Sequence, residues 1–229
     1  MQVEIWSDVV CPWCYVGKRR FEEALAGFEH RDEVQVRWRS FELDPEAPGE
    51  LQGELAAHLA RKYGRSIEQA RAMQQQLTDV GAGEGLDFRF DQARSGNSFE
   101  AHRLLHLAGA HNLQDAMKER LLRAYFTEGE LISDTSLLKR LAGEVGLPAG
   151  SVDDLFSTDR YADEVREDEQ TAAGSGIRGV PFFLVDRRLG VSGAQPAEVL
   201  GELLRQGWEE RPATPVAGSG ESCGVEDAC

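Results

Sequence analysis

The sequence predicts an α/β fold interrupted by a large all-helical insertion. Three observations carry that expectation. Short apolar runs with the character of strands occur near both ends of the chain. The stretch 45–173 between them shows only helical periodicity. The pair in Cys11-Pro12-Trp13-Cys14 stands where the first strand gives way to a helix.

Val3 and Ile5 alternate with polar neighbours and lead through Trp6-Ser7-Asp8-Val9-Val10, a strand running into the first cysteine. Pro12 suits a first helical position, because the N–H it lacks would have no partner there, and Cys14, Phe21, Leu25 and Phe28 then recur at helical spacing. Val34, Val36 and Trp38 alternate with Gln35, Arg37 and Arg39 as a second, half-buried strand, and strand-helix-strand implies a parallel crossover. Beyond Pro45, Leu51, Leu55 and Leu59 form one stripe. Ile67, Ala70, Met73, Leu77 and Val80 form another, opened by Ser66 and Gln69 as a capping box, and the two helices are expected to pair. Gly81 to Gly85 reads as a connection, having neither a preceding strand nor a lysine for phosphate. Asn97, with Glu100 three residues on, caps a helix bearing Leu104, Leu105 and Leu107. Leu113, Met117 and Leu121 mark the next helix, and Leu137, Leu138, Leu141 and Val145 another. After Gly174-Ser175-Gly176, the runs 180–185 and 189–192 read as a closing hairpin. Pro196 then begins a helix with Val199, Leu200, Leu203, Leu204 and Trp208 on one face. These readings divide the chain into a domain made of 1–44 and 174–210, a helical insertion over 45–173, and a flexible Pro/Ala/Gly/Ser tail over 211–229.

Charge narrows the function. The 229 residues carry 40 acidic and 25 basic side chains, a net charge of −15, which would repel both nucleic acid and an anionic membrane surface. A hydrophobic content of 41% is enough for a sizeable core. The first ten residues lack the basic and apolar stretches of a signal peptide and no segment has bilayer length, so a cytoplasmic location is expected. The four cysteines form two close pairs, Cys11/Cys14 and Cys223/Cys229. In a reducing compartment such pairs point to redox work or metal rather than structural staples.

A C-x-x-C at a helix start places the first sulfur where terminal N–H groups and the helix dipole favour thiolate, which makes Cys11 the expected nucleophile. Cys14, one turn on, can close a disulfide with Cys11 or resolve a mixed disulfide held there. Trp13 is expected to be partly exposed beside Pro12, as an apolar contact that tunes access. Pro181, in Gly179-Val180-Pro181, reads either as an edge-strand proline or as a cis proline that lets Val180 offer its peptide groups to an extended substrate.

Together these residues resemble thioredoxin-fold oxidoreductases of the DsbA type, most closely the cytoplasmic FrnE-like branch. The resemblance runs over nearly the whole chain. It rests on Ser7-Asp8, on Cys11-Pro12-Trp13-Cys14-Tyr15 followed by Gly17-Lys18, on Phe41-Glu42-Leu43, on Asn97 to Arg103, and on Gly179-Val180-Pro181. It implies a thioredoxin fold interrupted by the helical insertion, a cis Pro181, and thiol–disulfide exchange at Cys11 and Cys14. Partners would be thiol- or disulfide-containing protein clients or glutathione, with no resident cofactor, and the protein would act as a monomer or homodimer. The same fold serves glutathione-dependent isomerases similar to hydroxychromene carboxylate isomerase, so an isomerase or transferase acting on a small aromatic substrate is the alternative. Those proteins typically carry serine in place of the first cysteine, and the Cys11/Cys14 pair argues against that branch.

FrnE-like proteins can carry a second cysteine pair near the C-terminus with four intervening residues. Cys223 and Cys229 have five. A tether of roughly eleven residues spans about 18 Å, so a relay from tail to active site is one reading and incidental thiols the other. Acidic neighbours disfavour the tail thiolates, so electrons would pass from tail to Cys11/Cys14. Four-cysteine zinc binding and a His102/His106 metal pair are both weaker readings, and no metal is expected. Asn97 and His102 are candidate cleft residues, Glu42 a candidate acid–base or contact residue, and Lys18 a solvated helix lysine.

Overall fold

The computed structural model describes residues 1–211. A four-stranded sheet has the order β2-β1-β3-β4, with β1 Gln2–Ser7, β2 Gln35–Ser40, β3 Phe182–Val185 and β4 Leu189–Ser192. β1 and β2 run parallel, with Ile5 opposite Trp38, while β3 is antiparallel to both β1 and β4. Helix α1, Pro12–Ala26, makes the crossover from β1 to β2. Between β2 and β3 come α2 Leu55–Tyr63, α3 Ile67–Gly83, α4 Phe99–Ala110, α5 Gln114–Phe126, α6 Thr135–Val145, α7 Ala149–Ser157 and α8 Ala162–Gly174, and α9 Ala197–Glu209 follows the hairpin.

The alternation along β1 divides the interior. Val3 and Ile5 face α1 and α9, packing with Phe21, Phe183, Leu200 and Leu204. Trp6 faces the other way, with Ala172 of α8 and Ile177. A third core joins α4 to α7 and takes Tyr15 and Val16 from α1, so α1 is packed on two sides. On the α8 side lies a buried ionic network. Arg39 pairs with Glu4 and, at 2.7 Å, with Asp168. Asp168 also accepts from Ser40 N at 2.9 Å and lies 3.1 Å from His106 Nε2. The backbone carbonyl of Asp168 accepts the Trp6 indole N–H. These bonds fasten α8 and α4 to the sheet, and each buried polar group gains the partner its desolvation demands.

Several elements differ from expectation for identifiable reasons. β1 ends at Ser7, not Val10, because the buried Asp8 carboxylate accepts from Val10 N and Leu43 N and turns the chain toward α1. Gly81 to Gly83 belong to the last turns of α3 rather than to a connection. A Cβ at Gly81 would stand 2.7 Å from the Phe88 ring, so the helix needs glycine there to lie against Phe88. The capping box at Ser66 and Gln69 forms as expected. Asn97 bonds Phe99 N through Oδ1, but the N-cap position is Ser98. Leu51 lies outside α2, and Val199 is exposed rather than on the buried face of α9. The helices α2 and α3 do pair, yet through Ala56, Ala60 and Ala70. Small residues bring them close, with Leu59 packed against the cluster, and leave Leu55, Met73 and Leu77 to line another surface.

Candidate active site

Cys11 is the N-cap of α1, with extended backbone (φ −96°, ψ 113°), and its carbonyl accepts from Cys14 N at 3.0 Å. Both cysteines are free thiols. Cys14 is completely buried, whereas Cys11, though mostly covered, lines a cavity. The Val180–Pro181 peptide is cis, and the Val180 carbonyl faces Cys11 Sγ at 3.7 Å. Val180 precedes β3 and takes no part in its ladder. Gly17 holds this arrangement close, because a Cβ there would approach Pro181 Cγ to 2.9 Å.

The cavity, about 360 Å³, lies between Cys11 and the α2/α3 pair. Leu55, Leu59, Met73 and Leu77 form its far wall, which is where the expected stripes of those two helices point. Trp13, 42% exposed, Leu43, Tyr63 and Met73 are four of the chain's exposed large apolar side chains, and all four line it. Lys62 and Arg65, from the end of α2 and the turn after it, are the cations on its border. An open apolar patch of this kind beside a reactive group has the character of a binding surface.

Beneath the sulfurs the surroundings are polar and closed. Asp8, fully buried, accepts from Leu43 N at 2.8 Å and lies 3.3 Å from His102 Nε2. Burial would raise the Asp8 carboxyl, but His102, Leu43 N and Lys118 outweigh it and hold the group below its ordinary value. Lys118 of α5 is also fully buried, its Nζ 3.4 Å from the Ser7 carbonyl, and burial pushes it down to about 8 against the pull of Cys14, Asp8 and Cys11.

The two thiols titrate as a unit. The hydrogen bond to Cys14 and burial raise Cys11, while burial of Cys14 is outweighed by the bond from Cys11, the charge of Lys118 and the Ser7 hydroxyl facing it. The first proton therefore leaves the pair readily and the second is held. The expected charge at the helix start is thus shared with Cys14 and drawn inward by Lys118, rather than resting on Cys11 alone.

Other candidates fall in different places. His102 reaches the site only through Asp8, and His106 belongs to the Asp168 network, so the two histidines serve separate carboxylates. Asn97 does not touch the sulfurs. Its Nδ2 bonds the Pro45 carbonyl at 3.2 Å and Glu42 at 3.4 Å, fastening the loop that leads to the cavity wall. Glu42 pairs with Arg166 at 2.7 Å, and burial, with the charge of Glu169, raises its carboxyl to about 7 despite that cation. Lys18 is not solvated. It is buried among Glu22, Asp115 and Glu119, which neutralise it. Cys223 and Cys229 lie outside the described residues. Lys118 was not singled out from the sequence, although a signal exists. Leu121, Leu122 and Tyr125, three, four and seven residues on, are all buried, which places this lysine at a core position of α5.

The comparisons with known proteins agree with this fold. The profile of the family described as the DSBA-like thioredoxin domain matches residues 2–205. The crystal structure of a probable DsbA oxidoreductase, SCO1869 from Streptomyces coelicolor, is 45% identical, with a TM-score of 0.89, over 99% of this chain and 100% of that one. An uncharacterised Bacillus subtilis (strain 168) protein, YwbO, is 30% identical over 190 residues, covering 81% of this chain and 86% of its own. The cytosolic disulfide reductase DsbM from Pseudomonas aeruginosa shares the fold at 18% identity and a TM-score of 0.65, over 91% and 99% of the two chains. The protein belongs to the DSBA-like thioredoxin domain family.

Proposed function

We propose that the protein is a thiol–disulfide oxidoreductase in which Cys11 exchanges with the client and Cys14 resolves the intermediate. The observation that carries this reading is the unequal access of the two sulfurs: Cys11 faces the cavity and Val180, and Cys14 is sealed behind it. In the reducing direction the Cys11 thiolate attacks a client disulfide, a Cys11–client S–S bond forms, and the departing sulfur leaves as thiolate and takes a proton. Cys14 thiolate then attacks Cys11 Sγ, the Cys11–Cys14 bond forms, and the second client sulfur leaves. Two electrons and two protons pass to the client, and the oxidising direction is the reverse.

Val180 offers its peptide groups to an extended segment, and the cavity takes an apolar side chain flanking the client cysteine. Its walls are mainly apolar, which suits such a peptide, while its cations, Lys62 and Arg65, lie at the border. Glutathione remains a candidate electron partner. On the sequence alone, the Cys223/Cys229 pair is assigned to pass electrons to Cys11/Cys14. Unchanged re-reduction of the active-site pair after Cys223→Ser and Cys229→Ser would overturn that assignment.

A glutathione redox titration followed by tryptophan fluorescence tests the main reading. A reversible two-electron transition is expected in the native protein, with none in Cys11→Ser. The absence of a transition in the native protein would refute it.

A further inference from the structure

One buried polar side chain interrupts the apolar wall of the cavity beside Cys11. On α3 the residues that line it are Ala70, Met73, Gln74 and Leu77, the spacing of one helical face. Gln74 takes an inner position of that face: it is 9% exposed, against 38% for Met73. Its Nε2, with two N–H donors, is buried without a hydrogen-bond partner among the described residues. A leucine would complete the stripe without that penalty, since a buried donor left unpaired forfeits its hydration for nothing. Such a group in a native wall calls for a partner, and the cavity is where one can enter.

A second polar spot lines the same space. Ser95 Oγ, from the loop before α4, and the Tyr125 hydroxyl of α5 lie 2.6 Å apart. One hydrogen bond joins the two hydroxyls, so one O–H hydrogen is left over. Both spots have a donor to spare, and the group that completes them is an acceptor. The walls around them include the rings of Phe90 and Phe126, which suit a flat apolar body. A carboxylate matches less well. The cations of the lining, Lys62 and Arg65, are exposed at the border, and Lys62 is paired with Asp44 at 3.6 Å. His58 also lines the cavity, but burial, with the charges of Lys62 and Arg61, holds it below its ordinary 6.5, so it adds no charge at neutral pH.

We propose that Gln74 is a specificity-determining residue, which selects a client tyrosine beside the reacting cysteine. This rests on the function proposed above and names the side chain that the cavity takes. With the client cysteine at Cys11 and its backbone against Val180, the tyrosine ring enters the apolar cavity that Cys11 also lines. Its hydroxyl oxygen accepts from Gln74 Nε2, and the buried donor gains the partner it lacks. Phenylalanine brings the same ring and leaves Nε2 unpaired. A site built around an unpaired donor discriminates against the analogue without the oxygen, whereas a wholly apolar wall would favour phenylalanine.

The test uses the reduced full chain and three disulfide-bonded peptides that differ only in the residue beside the cysteine: tyrosine, phenylalanine or glutamate. The second-order rate constant for reduction of each is measured at neutral pH, with the Cys11→Ser protein as background. In the native protein the tyrosine peptide is expected to react at least about fivefold faster than the phenylalanine peptide, the worth of one hydrogen bond, and the glutamate peptide slowest. Gln74→Leu, close in size, is expected to bring the tyrosine-to-phenylalanine ratio to about one by slowing the tyrosine peptide alone, with no loss in urea midpoint, because no native bond is removed. Equal rates for the tyrosine and phenylalanine peptides in the native protein would overturn the proposal whether or not the variant folds. So would an unchanged ratio in Gln74→Leu, or a glutamate peptide that reacts fastest. All three results would leave the oxidoreductase reading intact. Failure of the native protein to reduce any of the peptides above background would overturn both.

Discussion

Replacing Asp168 by Asn keeps the shape of the side chain and removes its charge. The native carboxylate accepts from Arg39 at 2.7 Å and Ser40 N at 2.9 Å, and lies 3.1 Å from His106 Nε2, with little of any partner exposed. The amide keeps one acceptor oxygen and turns a donor toward donors, so at least one buried group loses its bond. Breaking a buried pair costs about 3–5 kcal/mol, and because Arg39 retains Glu4 the lower end applies, about 3 kcal/mol. For a chain of this length that lowers Tm by roughly 6–12 °C.

Urea and thermal unfolding of both proteins, followed by circular dichroism, measure the difference. Burial would raise the Asp168 carboxyl, but His106, Ser40 N and Arg39 together hold it below its ordinary 3.8. A carboxylate with a depressed folded value contributes stability that is complete above the unfolded value and lost as pH falls through the folded one. The gap between native protein and variant therefore shrinks below 3.8. A loss under about 1 kcal/mol at neutral pH, or a gap that widens on acidification, would refute the reasoning.

Three further predictions follow from the site. Gly17→Ala drives a methyl group toward Pro181 Cγ at 2.9 Å, and denaturant unfolding should show a loss of about 1–3 kcal/mol from overpacking. Met73→Glu puts a charge on the apolar wall of the cavity. It should lower kcat/KM at least about tenfold for a disulfide peptide with a large apolar residue beside its cysteine, relative to one with serine there. The Glu42 carboxyl, raised by burial to about 7, contributes stability that is full below its ordinary 4.5 and declines as pH rises through about 7. Glu42→Gln should therefore flatten the fall in urea midpoint across that interval.

Much of the fold was legible because local patterns and tertiary packing agree. Alternation at Val3 and Ile5 and at Val36 and Trp38 marks strands whose faces are buried unequally, and Ser66 with Gln69 marks a helix start by local hydrogen bonding alone. The pattern misled where tertiary contacts decide. Of the expected stripes, Leu59 and Ala70 do pack between α2 and α3, with Ala56 and Ala60, while Leu55, Met73 and Leu77 line the cavity. Sequence periodicity reports that a face is apolar and not what covers it. Cys11 and Cys14 stand out through their spacing at a helix start. Lys118 and Asp8 reach the same place from α5 and from the turn after β1, and only the three-dimensional structure shows that they converge. The burial of Lys18 is hidden for the same reason, since the acids that neutralise it include Asp115 and Glu119, roughly a hundred residues away in sequence.

The division of labour between the two sulfurs is tested most directly by trapping. Cys11→Ser and Cys14→Ser variants are each mixed with a disulfide-bonded peptide carrying an apolar residue beside its cysteine, then quenched with acid and mapped by mass spectrometry. Cys14→Ser is expected to accumulate a mixed disulfide on Cys11, and Cys11→Ser to form none on Cys14, because Cys14 is sealed from the cavity. An adduct on Cys14 in the Cys11→Ser protein, formed as fast as the adduct on Cys11 in the other variant, would contradict it.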